Sequence, residues 1–434
     1  MSSLITALAP TLGQEVFIKA EPEVLDFTNP ELQARLLIIT KDFTVTFEVP
    51  KNPLELPVRM GDLSAYLSNS SVIMAWNIKN FLSYIRYYTK KDFPIFRPLF
   101  DLKVLESYQG KRQACPKTFK EARERLGVIV KNPFWDQVKK IYGSIHIPLI
   151  TEVVPQIETF GLVNTNLKTI LHPCYEIEGQ INGRMKCSED FKKSYNPHSM
   201  SDEEKACLTT PDYDNKTFLY LDFKHMEVSV LQWLSKDKIL GTILQTGRDL
   251  YELIWETVTG IDCNEELRSK CKSFFLPLIF GEGVKTLSES IGISEGTAWK
   301  LFKKTNDKFE MAFDWVKDQK LDSNGLCIDR LGRIRKFEDD YAPRIRNFVI
   351  QSPAATVCLH KLVKLHNAIP GLGKICFHLH DGYCIMAYKG QEEKLYKKAK
   401  EVLEAPEELY PGLILKVSAY QGTKLNELKL IGGV

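Results

Sequence analysis

The run Phe218-Leu219-Tyr220-Leu221-Asp222-Phe223-Lys224-His225-Met226-Glu227-Val228-Ser229-Val230-Leu231-Gln232-Trp233-Leu234-Ser235 carries the reading of the whole chain. Its first four residues are apolar and β-prone and read as a buried strand ending on Asp222. Met226, Val230, Leu231 and Leu234 then recur at helical spacing. A carboxylate where a buried strand meets a helix suits a hard cation such as Mg²⁺ held against a phosphate. The plainer alternative is an aspartate that caps the helix.

A second stretch, Lys374-Ile375-Cys376-Phe377-His378-Leu379-His380-Asp381-Gly382-Tyr383-Cys384-Ile385-Met386-Ala387-Tyr388, reads as two strands around a tight centre. Asp381-Gly382 is the hairpin signal within it, and taken alone would be only a turn. Two aspartates brought together by a sheet are the minimum for holding two metal ions during in-line attack on phosphorus. Between them, Arg268, Lys272, Leu276 and Phe280 recur every four residues and share a helix face. Cations on one turn grip a polyphosphate and an aromatic further along stacks on a base. An ordinary amphipathic helix has the same pattern.

The order Asp222…Glu227, then Arg268-x3-Lys272-x7-Phe280-Gly281, then His380-Asp381, resembles motifs A, B and C of the family A DNA polymerases. The resemblance implies an α+β right-hand fold with palm, reduced thumb and fingers, preceded by an RNase H-like exonuclease-type α/β domain. The expected divisions are 1–110 for the exonuclease-like domain, 111–180 for a reduced thumb or connector, and 181–434 for palm and fingers, with fingers at about 236–320.

By that resemblance Asp222, Asp381 and the backbone carbonyl of Phe223 would hold two Mg²⁺ ions, for which Mn²⁺ can substitute. Lys272 would be the proton donor to pyrophosphate and Arg268 would neutralise the triphosphate. Glu227, Tyr251, Leu276 and Phe280 would border the incoming deoxynucleotide, with Glu227 against its 2′ position. Arg184, in Ile181-Asn182-Gly183-Arg184-Met185, and Asn347-x3-Gln351 would reach the primer–template minor groove, where every base pair offers acceptors. His380 would contact the primer terminus. Tyr195-Asn196-Pro197 and Leu331-Gly332-Arg333-Ile334-Arg335 resemble two further signatures of the family.

Several positions depart from the family. Gly382 stands for a glutamate, Phe280 for a tyrosine that would hydrogen-bond Glu227, Leu276 and Pro277 for an aromatic and a glycine, and Ser229 for an arginine. Pro277 predicts a kink. Gly382 and Phe280 lean towards a single-subunit RNA polymerase or primase-like enzyme, whereas Glu227 favours deoxynucleotides. A catalytically weak DNA-binding replisome scaffold is the reading from another class.

In the first hundred residues, Leu36–Thr40 and Phe43–Val49 read as paired strands, Asp62–Leu67 as a helix, Ser71–Trp76 as a strand and Asp101–Tyr108 as a helix. The wording from Asn77 to Phe81 resembles the family's exonuclease domain, but Phe81 stands where that domain has a catalytic aspartate. The counterpart of its Asp-x-Glu motif is Asp26-Phe27-Thr28, without the glutamate. Loss of metal carboxylates predicts a domain without proofreading. The basic stretch Lys111, Arg112, Lys117, Lys120, Arg123 and Arg125 is expected in the thumb. Ser201–Asp214 reads as a loop, Glu392–Leu403 as a helix and Leu413–Ser418 as the last strand.

Composition sets only bounds. With 434 residues, 44% hydrophobic and 26% charged, the chain is of ordinary soluble globular type. It carries no apolar run of about 18 residues, the length that would suggest a membrane span. Its ten cysteines form no C-x-x-C pair, which argues against zinc and for reduced thiols. A net charge of +3 permits nucleic-acid binding without indicating it. Expected partners are primer–template DNA, dNTPs and a processivity or other replisome protein, with no membrane. The expected location is the cytoplasm of a bacterium or phage-infected host.

Overall fold

The computed structural model describes residues 15–21, 35–48, 63, 67, 70, 72–78, 99–108, 113–130, 162–166, 169–171, 173–176, 180, 182–188, 195–210 and 217–432. The chain divides into two units, one of residues 1–159, 169–179 and 185–196, the other of 160–168, 180–184 and 197–434.

The first unit is built on β1 (Glu15–Glu21), β2 (Arg35–Ile39), β3 (Thr44–Glu48), β4 (Val72–Trp76) and β5 (Leu99–Asp101), with α1 (Leu102–Tyr108) and α2 (Phe119–Val130). The strand order is β3-β2-β1-β4-β5, with β1 antiparallel to β2 and parallel to β4. The sheet is thus mixed, with one antiparallel and one parallel side about β1. Its central strand, β1, is not among the strands that the sequence predicts. Glu15, Lys19 and Glu21 interrupt the apolar signal, yet Val16, Phe17 and Ile18 are consecutive and buried, as befits a strand covered on both faces.

Two further expectations change on this unit. Asp101 is buried and its carboxylate accepts from the backbone N–H groups of Asn77, Ile78 and Lys103, tying the end of β5 to the chain after β4. The basic helix expected in the thumb is α2, and it packs on β1 and β4. Its Arg125 is engaged with Glu106 at 2.7 and 2.5 Å, and its exposed Arg123 pairs with Glu15 at 2.7 Å. Asp26 and Phe81 lie outside the described residues.

From Thr217 onward the second unit runs β6 (Thr217–Phe223), α3 (Met226–Ser235), α4 (Lys238–Gln245), α5 (Leu250–Thr259), α6 (Glu265–Phe280), α7 (Val284–Ile291), α8 (Glu295–Lys308) and α9 (Glu310–Lys317). It continues through β7 (Leu326–Ile328), β8 (Ile334–Lys336), α10 (Ala342–Ala368), β9 (Gly373–Leu379), β10 (Gly382–Ala387), α11 (Glu392–Glu404), β11 (Val417–Gly422) and β12 (Lys429–Gly432). An antiparallel sheet of order β9-β10-β6-β11-β12 forms its base. α11 packs on β6 and β11, and α10 on α3 and α11, so helices cover one face of the sheet.

The last strands differ from the expected Leu413–Ser418. Val417 opens β11, and of the preceding apolar stretch only the Lys416 carbonyl joins the ladder side, accepting from Lys224 N–H. Ser201–Asp214 is likewise not all loop: Asp202–Ala206 is a helical turn capped reciprocally by Ser201 and Glu204. α6 opens on Asn264, whose side chain accepts from Leu267 N–H, and closes on Gly281 at φ 95°. The helix runs unbroken through Pro277, because a proline one turn from the end removes a single hydrogen bond where the helix is about to stop.

Candidate active site

β6 carries Asp222 one residue before its end, and Asp222 sits in register with Gly382 of β10 and Ser418 of β11. The β9–β10 loop consists of His380 and Asp381, with Leu379 and Gly382 paired across it. The turn is therefore centred on His-Asp rather than on the Asp-Gly pair that signalled it, and His380 takes the left-handed conformation at φ 46°. The Asp381 carbonyl accepts from Phe223 N–H at 3.0 Å, which ties the turn carrying Asp381 to the end of the strand carrying Asp222.

Both carboxylates are half-buried. Burial, with the Asp381 charge beside it, pushes Asp222 up to about 7, and the Tyr220 hydroxyl, donating to Oδ1 at 3.2 Å, offsets this only in part. Burial raises Asp381 as well, against a backbone donor and Arg184. Burial and the two neighbouring carboxylates hold the Tyr220 phenol well above its usual range, so it remains a donor. A Cβ at Gly382 would lie 2.6 Å from Tyr220 Cζ and 2.8 Å from Asp222 Oδ1, so a side chain there would displace one of them.

Asp222 and Asp381 open onto a cleft of about 680 Å³. Across it stand Arg268, Lys272 and Leu276 from α6, with Tyr251 and Asp249 from the start of α5. Arg268 donates to Asp249 at 2.8 Å, and Asp249 also accepts from Tyr251 N–H and Glu252 N–H as the cap of α5. Burial works to raise Asp249, but the Arg268 hydrogen bond and the backbone donors hold it below the usual carboxylate range. Lys272 is exposed and makes no ion pair among the described residues.

Glu227, in the first turn of α3, is held from two sides. Arg184 reaches its Oε1 at 3.3 Å and Gln351 of α10 donates to the same oxygen at 2.9 Å, while Asn182 donates to Gln351. The Gly183 turn at φ 80° that presents Arg184 packs on Arg333, whose guanidinium would be 2.6 Å from a Cβ at 183. The two signature turns thus support one another. Phe280, Asn347, Gln351 and His380 do not line the cleft. His380 instead stacks on His198 at 4.2 Å, and burial, with His198 and Arg184, pushes it down to about 4.

Three site residues went unread in the sequence. Tyr220 became visible only through the strand register that sets it on the same face as Asp222. His225 lines the cleft edge-on to Tyr251 at 5.3 Å, with burial pushing it down to about 4. His198 lies one residue beyond the Tyr195-Asn196-Pro197 signature, and the sequence carried no signal for its stacking on His380.

Residues 160–427 match the family model described as DNA polymerase family A. DNA polymerase theta of Drosophila melanogaster is 25% identical over 363 residues, covering 74% of this chain and 17% of that protein. The DNA polymerase of Bacillus phage SP01 is 20% identical over 265 residues, 54% of this chain and 29% of that one. DNA polymerase I of Helicobacter pylori strain J99 is 24% identical over 226 residues, 49% of this chain and 25% of that one. The matches thus span less than a third of each of these relatives. Among solved structures, the POL domain of Pol1 from M. smegmatis, in complex with DNA primer-template and dNTP, matches 98% of this chain and 98% of its own at a TM-score of 0.72 and 14% identity, a likeness of fold. With its motifs on one sheet and one facing helix, and with the family model spanning residues 160–427, the chain belongs to DNA polymerase family A.

Proposed function

We propose that this chain is a template-directed DNA polymerase that adds deoxynucleotides to a primer 3′ end by two-metal phosphoryl transfer. The observation that carries this reading is the placing of Asp222, near the end of β6, beside Asp381, in the turn that leads into the neighbouring β10, with the cations of α6 lining the same cleft.

The donor chemistry fits Mg²⁺ or Mn²⁺. Two neighbouring half-buried carboxylates, one raising the other, form an oxygen-only set of net negative charge. No cluster of three or more His, Cys, Asp or Glu suited to a metal occurs among the described residues. Magnesium sites on phosphate enzymes use one or two carboxylates, with phosphate oxygens and water completing the shell. Bound there, the ions would supply Lewis acidity and neutralise charge at the reacting phosphate.

The chain's own groups position and neutralise. Lys272, exposed and without an ion-pair partner among the described residues, is the group to hold the triphosphate and donate a proton to pyrophosphate. Arg268 joins it on exchanging Asp249 for phosphate. Leu276 and Tyr251 pack around the nucleotide. Glu227 excludes a 2′-hydroxyl, and Arg184, Asn347, Gln351 and His380 contact the primer–template. Arg184 and Gln351 currently share Glu227, so engaging DNA requires them to leave it.

We assign the palm to the β6-centred sheet, the fingers to about 236–320, and the first unit to an exonuclease-like domain without proofreading. Its fixed Asp101, spent on three backbone donors, supports that reading. A replisome partner and a cytoplasmic setting belong to the same proposal. Among the described residues no helix is long and apolar enough to cross a membrane.

The test is extension of a labelled primer on a DNA template with Mg²⁺, with dNTPs in one tube and rNTPs in another. Extension with dNTPs alone supports the reading. Extension with rNTPs moves the chain to the ribonucleotide-accepting alternative, and no extension in either tube moves it to the scaffold.

A further inference from the structure

We propose that Tyr220 is a positioning residue for the metal-binding carboxylate Asp222, and that glycine at 382 is what admits it. The proposal rests on the reading of Asp222 as a metal ligand.

The argument is one of register. Tyr220 and Asp222 are two apart on β6, so both side chains stand on the same face. Gly382 lies directly opposite Asp222 on β10, and any side chain there would rise beside the carboxylate. The phenol of Tyr220 takes that space instead, with Cζ 2.6 Å from where a Cβ at 382 would stand. From there its hydroxyl donates to Asp222 Oδ1 at 3.2 Å. On its other side the ring meets Tyr420 of β11, the residue in register with it, at 6.2 Å between centroids. The phenol is thus held by a neighbour and by the gap at 382, and its one directed contact is with the aspartate.

Fixing Oδ1 by a neutral donor leaves Oδ2 turned to a cation, the role that hydrogen-bonding partners of metal ligands play generally. It does so without the third carboxylate that the family places at 382. Tyrosine at 220 and glycine at 382 form one device, and neither works without the other.

The experiment titrates Mn²⁺ alone into the full chain, following free Mn²⁺ by electron paramagnetic resonance, for the native chain, Tyr220→Phe, Gly382→Ala, the double variant and Asp222→Ala. Tyr220→Phe keeps the ring and removes only the donor, and should weaken Mn²⁺ binding by about tenfold. Gly382→Ala should weaken it comparably by displacing the phenol, and the double variant should lose no more than either single one. In primer extension, Tyr220→Phe should raise the Mg²⁺ concentration at half-maximal rate by the same factor, with the rate at saturating Mg²⁺ within about threefold of native, a split that general loosening of the fold would not give.

Mn²⁺ binding by Tyr220→Phe within twofold of native, or additive losses in the double variant, overturns the proposal. If Asp222→Ala binds Mn²⁺ as the native chain does, the metal-site reading beneath it fails instead.

Discussion

Metal affinity should depend steeply on pH between 6 and 8, and Asp222 sets the size of the effect. Its carboxyl is pushed up to about 7, so a cation must displace a proton over much of this range. At pH 6 the protonated fraction reduces apparent affinity by a factor of about 1 + 10, and at pH 8 by about 1 + 0.1, a ratio of about tenfold or 1.4 kcal/mol. Calorimetric titration of Mn²⁺ at pH 6, 7 and 8 measures it directly.

Thermal melting of the metal-free chain is a poorer probe, because opposing groups titrate together. Asp222, raised on folding, contributes stability that is full below about pH 4 and lost as pH rises through about 7. His225 and His380, both lowered to about 4, contribute stability that is full above about pH 6.5 and lost as pH falls through 4. His225 and His380 are neutral throughout the window chosen, so the affinity reports the carboxylate pair, with Asp222 as its most raised member. An affinity flat within twofold from pH 6 to 8 would refute the reasoning.

Other substitutions test the fold and the sugar gate. Lys361 is fully buried and donates to the Val402 and Ala405 carbonyls and to Glu407. Lys361→Met should cost about 3–5 kcal/mol in urea unfolding by leaving buried acceptors unpaired, and a loss below about 1 would contradict that. Asp237 caps α4 through Ile239 and Leu240 N–H and reaches Ala312 N–H in α9, so Asp237→Ala should cost about 2–4 kcal/mol. Glu227→Gly should raise ribonucleotide incorporation relative to deoxynucleotide by at least about tenfold in single-nucleotide extension, and an unchanged ratio would remove Glu227 from sugar selection.

Asp222 and Asp381 were legible because each lies at or just past the end of a strand whose apolar run is local. The four-residue spacing of α6 likewise put Arg268, Lys272 and Leu276 on the cleft together. What escaped depended on distant partners. β1 hid behind three charged residues, and its central place is set by pairing with β2 and β4, which no short window contains. The Ser201–Glu204 cap was present as a signal and was outweighed by the polarity around it. Tyr220 looked like one more strand residue until register set it against a glycine. Glu227 is held by Arg184 and Gln351, groups too far apart in sequence for any short window to pair them.

Single-turnover incorporation of one dNTP on a labelled primer–template tests the central claim most directly, comparing the native chain with the Asp222→Ala, Asp381→Ala double variant. DNA affinity is measured alongside. The account predicts a loss of at least about a thousandfold in rate with binding to primer–template retained. Incorporation by the double variant within tenfold of native would contradict it.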